Sequence, residues 1–303
     1  MARPNRREMS LWLGGLPLFA AAGSTAAAPA GKFGDGLSRA APSTRGVAPE
    51  AILEFLDDLD RTGVEMNSFM LYRGGDVISE GWWSPYAPGR VHMMHSATKS
   101  FLSAGIGMAI AEGRFALDDK VVSFFPGNLP ARVSDNLAAM TVEDLLTQTC
   151  GHEKSVSGSV WRSIPTSWVT EFFKVPVDRQ PGTKFTYSSA TSFMLSAILT
   201  KTTGLAAHDY LKPRLFQPLG VRDERWDVGP EGINPGGNGL TARTSDLLKL
   251  AILHLDGGAW QGRQLLEPAW VRAATTSQRG NPYGYHWWTL PEGDGFFAYG
   301  AFG

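Results

Sequence analysis

Cysteine is nearly absent from this chain: Cys150 is the only one in 303 residues, so no internal disulfide bond can form. Charged residues are also few, at 19% of the chain, and 28 basic side chains are balanced by 29 acidic ones. There is no basic run, and a near-neutral chain carries no electrostatic footprint for nucleic acid. Cys150 follows a predicted helix end, where a small buried residue is more common than a thiol nucleophile.

The motifs of several enzyme classes are missing as well. His152-Glu153 does not extend to H-E-x-x-H, and no other histidine or cysteine lies at metal-ligand spacing, so no metal site is predicted. There is no G-x-S-x-G, which argues against the nucleophile elbow of α/β-hydrolases. Neither a phosphate-binding loop nor a dinucleotide fingerprint is present. We therefore expect a protein that uses no metal and no organic cofactor.

Residues 1–30 are predicted to be an export signal. Three arginines within the first seven residues precede an apolar run from Leu11 to Ala22, and Ala28-Pro29-Ala30 supplies small residues for cleavage. The apolar run is too short for a good transmembrane span, so we expect no stable membrane span after signal removal. Arg6-Arg7 favours twin-arginine export. We expect a periplasmic or secreted protein, with a retained membrane anchor as the alternative.

Residues 31–47 are rich in small and turn-forming residues and are predicted to be a linker. The body, residues 48–303, is long enough to bury a substantial core as one domain, in a chain that is 43% hydrophobic. Apolar spacing, capping residues and turn residues predict its elements. Predicted helices cover residues 49–59, 96–112, 165–174, 189–203 and 206–219, with further helix starts at 141 and 244. Predicted strands cover residues 68–72, 77–83, 283–290 and 296–299.

Strands near both ends of the body, with helices between them, indicate an α/β fold of the α+β type. In this arrangement an antiparallel sheet is built from distant segments and flanked by helices. We predict a sheet lobe over residues 48–120 and 240–303 and a mostly helical lobe over residues 121–239. Pro213 is expected to kink the helix that contains it.

The most informative stretch is Ser96-Ala97-Thr98-Lys99, at the start of a predicted helix. Residues i and i+3 share a helix face, so the lysine amine can reach the serine hydroxyl. Serine is a weak nucleophile until a neighbouring base takes its proton. Lys99 is the only lysine with a serine three positions before it, and apolar residues such as Phe101 and Ile106 flank the motif. These features favour catalysis over an accidental match on a solvated helix face.

Tyr187 opens a second motif, Tyr187-Ser188-Ser189, just before a predicted helix. It is the only tyrosine that has a serine or asparagine two residues later. A tyrosine beside a serine–lysine pair can act as a phenolate base or as a proton relay to the leaving group. The alternative is a tyrosine that merely packs at a junction between a loop and a helix.

Taken together, these motifs resemble those of the class C β-lactamase-like serine hydrolases. That group includes β-lactamase-fold esterases, D-aminopeptidases and 6-aminohexanoate-oligomer hydrolases. The resemblance covers roughly residues 50–303 and depends on five landmarks that occur in order. They are His95–Ser100, Leu117–Val121, Thr141–Thr147, Pro181–Ser189 and Gly239–Leu247. The resemblance implies a β-lactamase/penicillin-binding-protein-like fold.

The resemblance also implies roles for individual residues. Ser96 corresponds to the acylated nucleophile, Lys99 to its base partner and Tyr187 to the proton relay. Ser189 takes the place of the last polar residue of the tyrosine motif. The backbone N–H groups of Ser96 and Ala301 correspond to the oxyanion hole, in which one donor is typically worth ~10²–10³ in rate.

Substrate contacts are expected from three residues: Ser189, His95, next to the nucleophile, and Trp287, in an aromatic stretch. For His95 a structural role is the alternative. The Lys-Thr-Gly motif of class C β-lactamases corresponds here to Ala298-Tyr299-Gly300, which has no lysine. In the family that lysine helps to hold substrate carboxylates, so its absence argues against efficient cephalosporin hydrolysis. The aromatic stretch resembles the esterase and nylon-oligomer hydrolase branches most.

The sequence therefore predicts an exported serine hydrolase that cleaves an amide or ester bond of a small molecule through an acyl-enzyme on Ser96. The enzymatic alternatives are a D,D-peptidase, a D-aminopeptidase or a β-lactamase. Outside catalysis, the alternatives are a penicillin-binding-like sensor and an inactive truncated relative. Family members continue with further strands and a terminal helix, so we expect these C-terminal elements to be missing from the 303 residues.

Overall fold

The computed structural model describes residues 9–13, 16–17, 34–156, 159–291 and 295–301. Within these ranges the chain forms two compact units. One contains the described residues up to His92 together with Ala242–Lys249, and the other contains Met93–Thr241 together with the described residues from Leu250 onward. Most of the predicted signal, residues 1–30, lies outside the described ranges. Among the described helices, none combines the length and apolar character needed to span a bilayer.

The first unit contains an antiparallel four-stranded sheet in the order β2-β1-β4-β3. Its elements are β1 (Met9–Leu13), β2 (Leu16–Pro17), α1 (Pro49–Thr62), β3 (Ser68–Arg73) and β4 (Asp76–Trp83). Gly74 and Gly75 form the two-residue turn between β3 and β4, and both have the positive φ that such a turn requires. The predicted helix 49–59 and the predicted strands 68–72 and 77–83 are confirmed, with slightly wider bounds.

The segment predicted to be a linker packs on β4 from Asp35 onward. Arg39 lies between two carboxylates, because its guanidinium donates to Asp35 at 2.6 Å and to Glu80 at 2.9 Å. The side chains of Arg39 and Glu80 are only 3% and 1% exposed. The backbone on either side of Arg39 bonds to Val77 of β4. A buried ion pair and a short stretch of backbone pairing therefore attach this segment to the sheet.

The second unit is mostly helical. Its elements, with α10 spanning the division between the units, are β5 (His92–Met93), α2 (Thr98–Ala111), α3 (Val121–Phe124), α4 (Asp135–Ala139), α5 (Val142–Leu146), α6 (Ser159–Arg162), α7 (Trp168–Lys174), α8 (Ser189–Thr203), α9 (Ala207–Leu211), β6 (Arg225–Trp226), β7 (Leu240–Ala242), α10 (Thr244–Leu255), β8 (Ala259–Trp260), β9 (Arg263–Gln264), α11 (Pro268–Ala274), β10 (Trp288–Thr289) and β11 (Phe296–Phe297). The short strands form a three-stranded sheet, in the order β5-β7-β6, and the pairs β8–β9 and β10–β11.

Two of these helices, α2 and α8, pack against each other and are surrounded by protein. Every residue from Thr98 to Ala109 and from Ala190 to Leu199 is buried. The helix predicted over 189–203 is confirmed, and it ends at Gly204 in the left-handed conformation typical of helix C-termini. The predicted kink at Pro213 is also confirmed, because α9 continues there into a π-helical turn.

The hairpin near the C-terminal end is shorter than predicted. Among the described residues, β10 and β11 pair over two residues each and Tyr283 forms one isolated bridge to Trp288, so residues 283–287 do not form the predicted strand. The reason is that the backbone turns at His286, whose φ is +63°. The carbonyl oxygens of Tyr285 and His286 accept hydrogen bonds from two serine hydroxyls of α2 instead of from a neighbouring strand.

Replacing Arg39 should test how strongly the first unit depends on its buried ion pair. Arg39→Ala leaves the carboxylates of Asp35 and Glu80 without their common cation, and we expect a loss of about 3–5 kcal/mol in the free energy of unfolding. The measurement is urea denaturation followed by circular dichroism. The matched control is Arg61→Ala, which removes an exposed pair with Asp58 and should change stability by less than about 1 kcal/mol. Equal effects of the two variants would contradict this account.

Candidate active site

Ser96 lies in a 3₁₀ turn, His95–Ala97, that leads directly into α2. The Ser96 side chain is half-buried, so it is accessible from one side only. His95 has a φ of +44°, in the left-handed region that residues with a Cβ rarely adopt. The turn therefore presents the hydroxyl at the N-terminal end of α2, where the helix field favours developing negative charge.

Lys99 lies in the first turn of α2 and is only 1% exposed. Its Nζ lies 3.2 Å from Ser96 Oγ and 3.2 Å from Ser189 Oγ, and it donates to the carbonyl oxygen of Gly237 at 2.8 Å. Among the described residues, no carboxylate forms an ion pair with this amine. Burial therefore lowers the pKa of Lys99 to about 7, because the charged form loses its hydration.

The three partners of Lys99 can accept from all three donors of an ammonium group, and they also suit an uncharged amine. A neutral –NH₂ group has two N–H donors and one lone pair. The Gly237 carbonyl and the Ser189 hydroxyl can accept from the two donors. The lone pair is then left for the Ser96 hydroxyl, which donates its proton toward Nζ. The arrangement can therefore remove a proton from Ser96 near neutral pH.

Tyr187 is the third predicted residue that the structure brings to this site. The Lys99 Nζ lies 4.8 Å from the centroid of the Tyr187 ring, and the phenol is near enough to the Ser96 side chain for Ser96 to influence its pKa. Burial raises the pKa of the Tyr187 phenol above its ordinary value. The ring packs on Trp288 and Tyr283 at centroid distances of 5.4 and 6.0 Å. Tyr187 is therefore held as a protonated phenol beside the serine.

Gly237 was not anticipated from the sequence, although it lies in the glycine-rich stretch 236–239. It leaves no space for a side chain: an added Cβ would lie 3.0 Å from Ser189 Cβ and 3.2 Å from Lys99 Nζ. Its neighbour Gly236 has a φ of +71°, and a Cβ there would lie 2.5 Å from the Ser192 carbonyl oxygen. The two adjacent glycines therefore let the backbone approach α8 closely enough to place a carbonyl on Lys99.

Gln148 is a second residue that sequence reasoning missed. It is fully buried and adopts a φ of +60°. Its side-chain oxygen accepts hydrogen bonds from the Ser188 N–H at 2.7 Å and from the Thr191 hydroxyl at 2.9 Å. Gln148 therefore fixes the first turn of α8, from which Ser189 reaches Lys99.

The segment before Ala301 runs against the nucleophile turn. An added Cβ at Gly300 would lie 2.7 Å from the Met94 carbonyl oxygen and 3.6 Å from the Ala97 amide nitrogen. Only glycine allows backbone to approach this closely. Ala301 follows directly, so its backbone is brought near the turn that holds Ser96. Their joint role as an oxyanion hole stays a prediction.

The predicted substrate contacts His95 and Trp287 differ in their placement. His95 is half-buried directly beside the nucleophile. Trp287, in contrast, is 1% exposed and packs on His254 and Phe296, so the structure places it in the core and not in a substrate cleft. Its neighbour Trp288 packs on Tyr187 instead. Side chains alternate along β10, and the sequence did not show which of the two tryptophans faces the site.

Cys150 does not belong to this site. It is buried, its thiol donates to the Asp144 carbonyl oxygen, and burial raises its pKa well above the ordinary value. A thiol held in its protonated form is a poor nucleophile. No cluster of three or more potential metal-ligating side chains occurs in the part of the chain that the structure describes.

Comparisons with known proteins agree with this geometry. The sequence model of the family described as Beta-lactamase matches residues 51–303. A 6-aminohexanoate-dimer hydrolase of Paenarthrobacter ureafaciens is 25% identical over 250 residues, which cover 77% of this chain and 64% of that protein. A protein of Escherichia coli provisionally named D-alanyl-D-alanine carboxypeptidase is 21% identical over 246 residues, or 63% of this chain and 56% of that protein.

Solved structures show the same fold. The octameric penicillin-binding protein homologue from Pyrococcus abyssi superimposes with a TM-score of 0.62 at 21% identity, over 79% of this chain and 65% of that one. The chain spans less than two thirds of the length of the two sequence relatives above. The predicted β-lactamase/penicillin-binding-protein-like fold is thereby confirmed.

Gly237→Ala should separate the geometry of the site from the stability of the fold. The added methyl group displaces Ser189 or Lys99 by a few tenths of an ångström. Because a displacement of about 1 Å can cost about 10²-fold in rate, we expect fluorophosphonate labelling of Ser96 to slow by about 3- to 10-fold, as measured by in-gel fluorescence against time. The control is Gly127→Ala, where an added Cβ meets open space and labelling should be unchanged. Unchanged labelling of Gly237→Ala would contradict this interpretation of the loop.

Proposed function

The chain belongs to the beta-lactamase family, and we propose that it is a serine hydrolase that cleaves an amide or ester bond through an acyl-enzyme on Ser96. The observation that carries this proposal is the contact between Lys99 and Ser96. A buried amine 3.2 Å from a half-buried hydroxyl, with a pKa near 7, supplies a base where a nucleophile needs one.

In the proposed acylation step, Ser96 Oγ attacks the substrate carbonyl carbon while its proton moves to Lys99 Nζ. The carbonyl oxygen becomes an oxyanion, for which the backbone N–H groups of Ser96 and Ala301 are the proposed donors. The bond to the leaving group then breaks, the leaving group takes a proton, and the acyl group remains on Ser96. In the deacylation step water attacks the ester carbon and gives a proton to the base. The bond between that carbon and Ser96 Oγ then breaks, Oγ recovers a proton from the base, and the acid is released.

Tyr187 is the proposed proton relay in both steps. Its raised pKa argues against a resting phenolate and leaves Lys99 as the first base. The phenol lies near Ser96 and Lys99, so it can donate its proton to the departing amine or alkoxide and recover one from Lys99. The distance of 4.8 Å between Nζ and the Tyr187 ring centroid keeps both groups within one small site.

The proposed substrate is a small amide or ester. The relative in Paenarthrobacter ureafaciens is a 6-aminohexanoate-dimer hydrolase, which supports an amide of a linear amino acid as the first candidate. The relative in Escherichia coli supports a second candidate, a D-alanyl-D-alanine peptide of the cell wall. The Ala298-Tyr299-Gly300 segment at the position of the family lysine offers no cation to a substrate carboxylate, which argues against efficient cephalosporin hydrolysis.

Export of the chain through its first thirty residues is a further part of the proposal. The arginines and the apolar run of that segment support it. An exported enzyme would meet small extracellular or periplasmic amides and esters directly. Fractionation of cells that express the full chain, with detection in the periplasm or the medium, is the corresponding test.

Labelling with a fluorescent fluorophosphonate tests the serine–lysine pair. Ser96→Ala removes the nucleophile and Lys99→Ala removes its base, so both should lower the labelling rate by about 10³-fold or more. Intact-mass analysis gives the stoichiometry, and p-nitrophenyl butyrate gives turnover. Lys201→Ala is the matched control, because this lysine lies exposed on α8 and should not affect either readout.

The outcomes of that experiment separate the candidates. Labelling with turnover supports a hydrolase, and hydrolysis of the 6-aminohexanoate dimer or of a D-alanyl-D-alanine peptide then decides between the two substrates. A stable butyryl adduct without turnover would support a sensor in place of an enzyme. No labelling of folded protein would refute the proposed function.

The pH dependence of kcat/KM tests the role of Lys99 independently. Only the unprotonated amine can accept the serine proton, so activity should fall as the pH falls through about 7. The raised pKa of Tyr187 predicts no second loss until the pH exceeds the ordinary range of tyrosine. The measurement is p-nitrophenyl butyrate hydrolysis between about pH 5 and 9, corrected for spontaneous hydrolysis. A profile that is flat across this range would contradict Lys99 as the base.

A further inference from the structure

His286 is buried between three helices of the second unit. Its Nδ1 lies 3.0 Å from the carbonyl oxygen of Leu146, at the end of α5, and its Nε2 lies 2.9 Å from the hydroxyl of Ser192 on α8. Its own carbonyl oxygen accepts a hydrogen bond from Ser100 of α2 at 2.8 Å. One residue therefore bonds to all three helices.

The hydrogen-bond partners fix the tautomer of this imidazole. A carbonyl oxygen can only accept, so Nδ1 carries the proton and donates it to Leu146. Nε2 is then an acceptor, and the Ser192 hydroxyl donates to it. Burial and the neighbouring Lys99 lower the pKa of His286 to about 3, so the ring adds no positive charge beside the buried amine.

The hydrogen bonds of His286 join the same two helices, α2 and α8, as the contact between Lys99 and Ser189. Ser100 is the next residue after Lys99 on α2, and Ser192 lies one turn after Ser189 on α8. The path Ser100–His286–Ser192 therefore spans the same two helices that the 3.2 Å contact between Lys99 and Ser189 joins. A change in the distance between these helices would move the amine and the hydroxyl apart.

The backbone at position 286 gives an independent reason to assign the side chain a role. Its φ of +63° lies in the left-handed region, which glycine adopts freely and a residue with a Cβ does not. Among residues with a Cβ, asparagine, aspartate and histidine are the ones enriched in this region. The chain places an imidazole there, and both of its nitrogens are used. Strained residues that persist in this way tend to cluster at functional sites.

We infer that His286 is a positioning residue that sets the spacing of α2 and α8 and thereby holds Lys99 and Ser189 in the geometry that the serine nucleophile needs. The inference rests on the proposed function, because it concerns the rate at which Ser96 is acylated. It assigns the histidine no contact with substrate.

The test compares three variants in fluorophosphonate labelling and in kcat and KM for p-nitrophenyl butyrate. His286→Asn keeps a residue that tolerates positive φ but is too short to reach Ser192. Ser192→Ala removes the same hydrogen bond and leaves the backbone at 286 unaltered, so a folding defect in the histidine variant does not decide the test. Each should lower the labelling rate and kcat by about 10- to 100-fold, with KM changed by less than about 3-fold. The double variant should be no slower than the slower single variant, because both changes remove the same hydrogen bond between the side chains at positions 192 and 286.

His254→Asn is the matched control. His254 is buried in the same unit, its Nδ1 lies 2.8 Å from the Leu250 carbonyl oxygen, and its ring contacts Trp287, the residue after His286. The His254→Asn variant therefore reports on general loosening of this segment, and the labelling rate of this variant should stay within about 2-fold of the wild type.

Three results with the variants above would overturn the inference while the wild type labels normally. They are a wild-type labelling rate in Ser192→Ala, additive losses in the double variant, and an equal loss in His254→Asn. A wild-type protein that does not label at all would instead refute the proposed function, and the inference with it. Restored labelling in His286→Gly would also contradict the inference, because it would show that backbone conformation alone is needed.

Discussion

Lys99 carries an amine that is almost completely removed from water, and an ammonium group in such surroundings loses several kcal/mol of hydration. A protein can offset this loss with buried carboxylates, as the first unit does for Arg39, or it can let the group give up its proton. Around Lys99 the described partners are two hydroxyls and one carbonyl oxygen, which satisfy its hydrogens without supplying negative charge. The pKa of the Lys99 amine is therefore about 7, close to neutral pH. Its position three residues after Ser96 makes it a base beside the nucleophile.

The amine is buried because α2 and α8 are both enclosed by protein. The segment that encloses them must then find hydrogen-bond partners for its own backbone. The segment around residues 283–287 covers α2 and α8 without forming a regular strand, so its carbonyl oxygens need donors from elsewhere. Ser100 and Ser103 of α2 provide them, and Ser192 of α8 donates to the imidazole of His286. Serine suits this role because it is small enough for close helix packing and still carries a hydroxyl. The polar residues inside this unit therefore join the helices that carry the site to the segment that covers it.

Local signals explain how much of this could be predicted from the sequence. The spacing of Ser96 and Lys99 is a property of one helix turn, and the end of the helix from Ser189 to Thr203 is marked by the glycine that follows it, Gly204. Thr141 forms a capping box with Asp144, which is again local. Gly237 and His286 could not be assigned in this way, because their roles depend on residues about 90 to 190 positions away. The burial of Trp287 and the contact of Trp288 with Tyr187 could not be predicted for a related reason: they depend on which side of a short extended segment turns inward.

Backbone strain connects these points. Six described residues other than glycine have a positive φ, and three of them, His95, Gln148 and His286, surround the site. His95 sets the turn that exposes the serine, Gln148 fixes the start of α8, and His286 bonds to α2, α5 and α8. Each costs of order 1–3 kcal/mol relative to a relaxed conformation. Because α2 and α8 are otherwise held by apolar packing, which has little directional preference, directional hydrogen bonds from strained residues are what can fix their separation to a fraction of an ångström. A proton transfer between Ser96 and Lys99 needs that accuracy, since the distance between the two groups decides whether the proton can move at all.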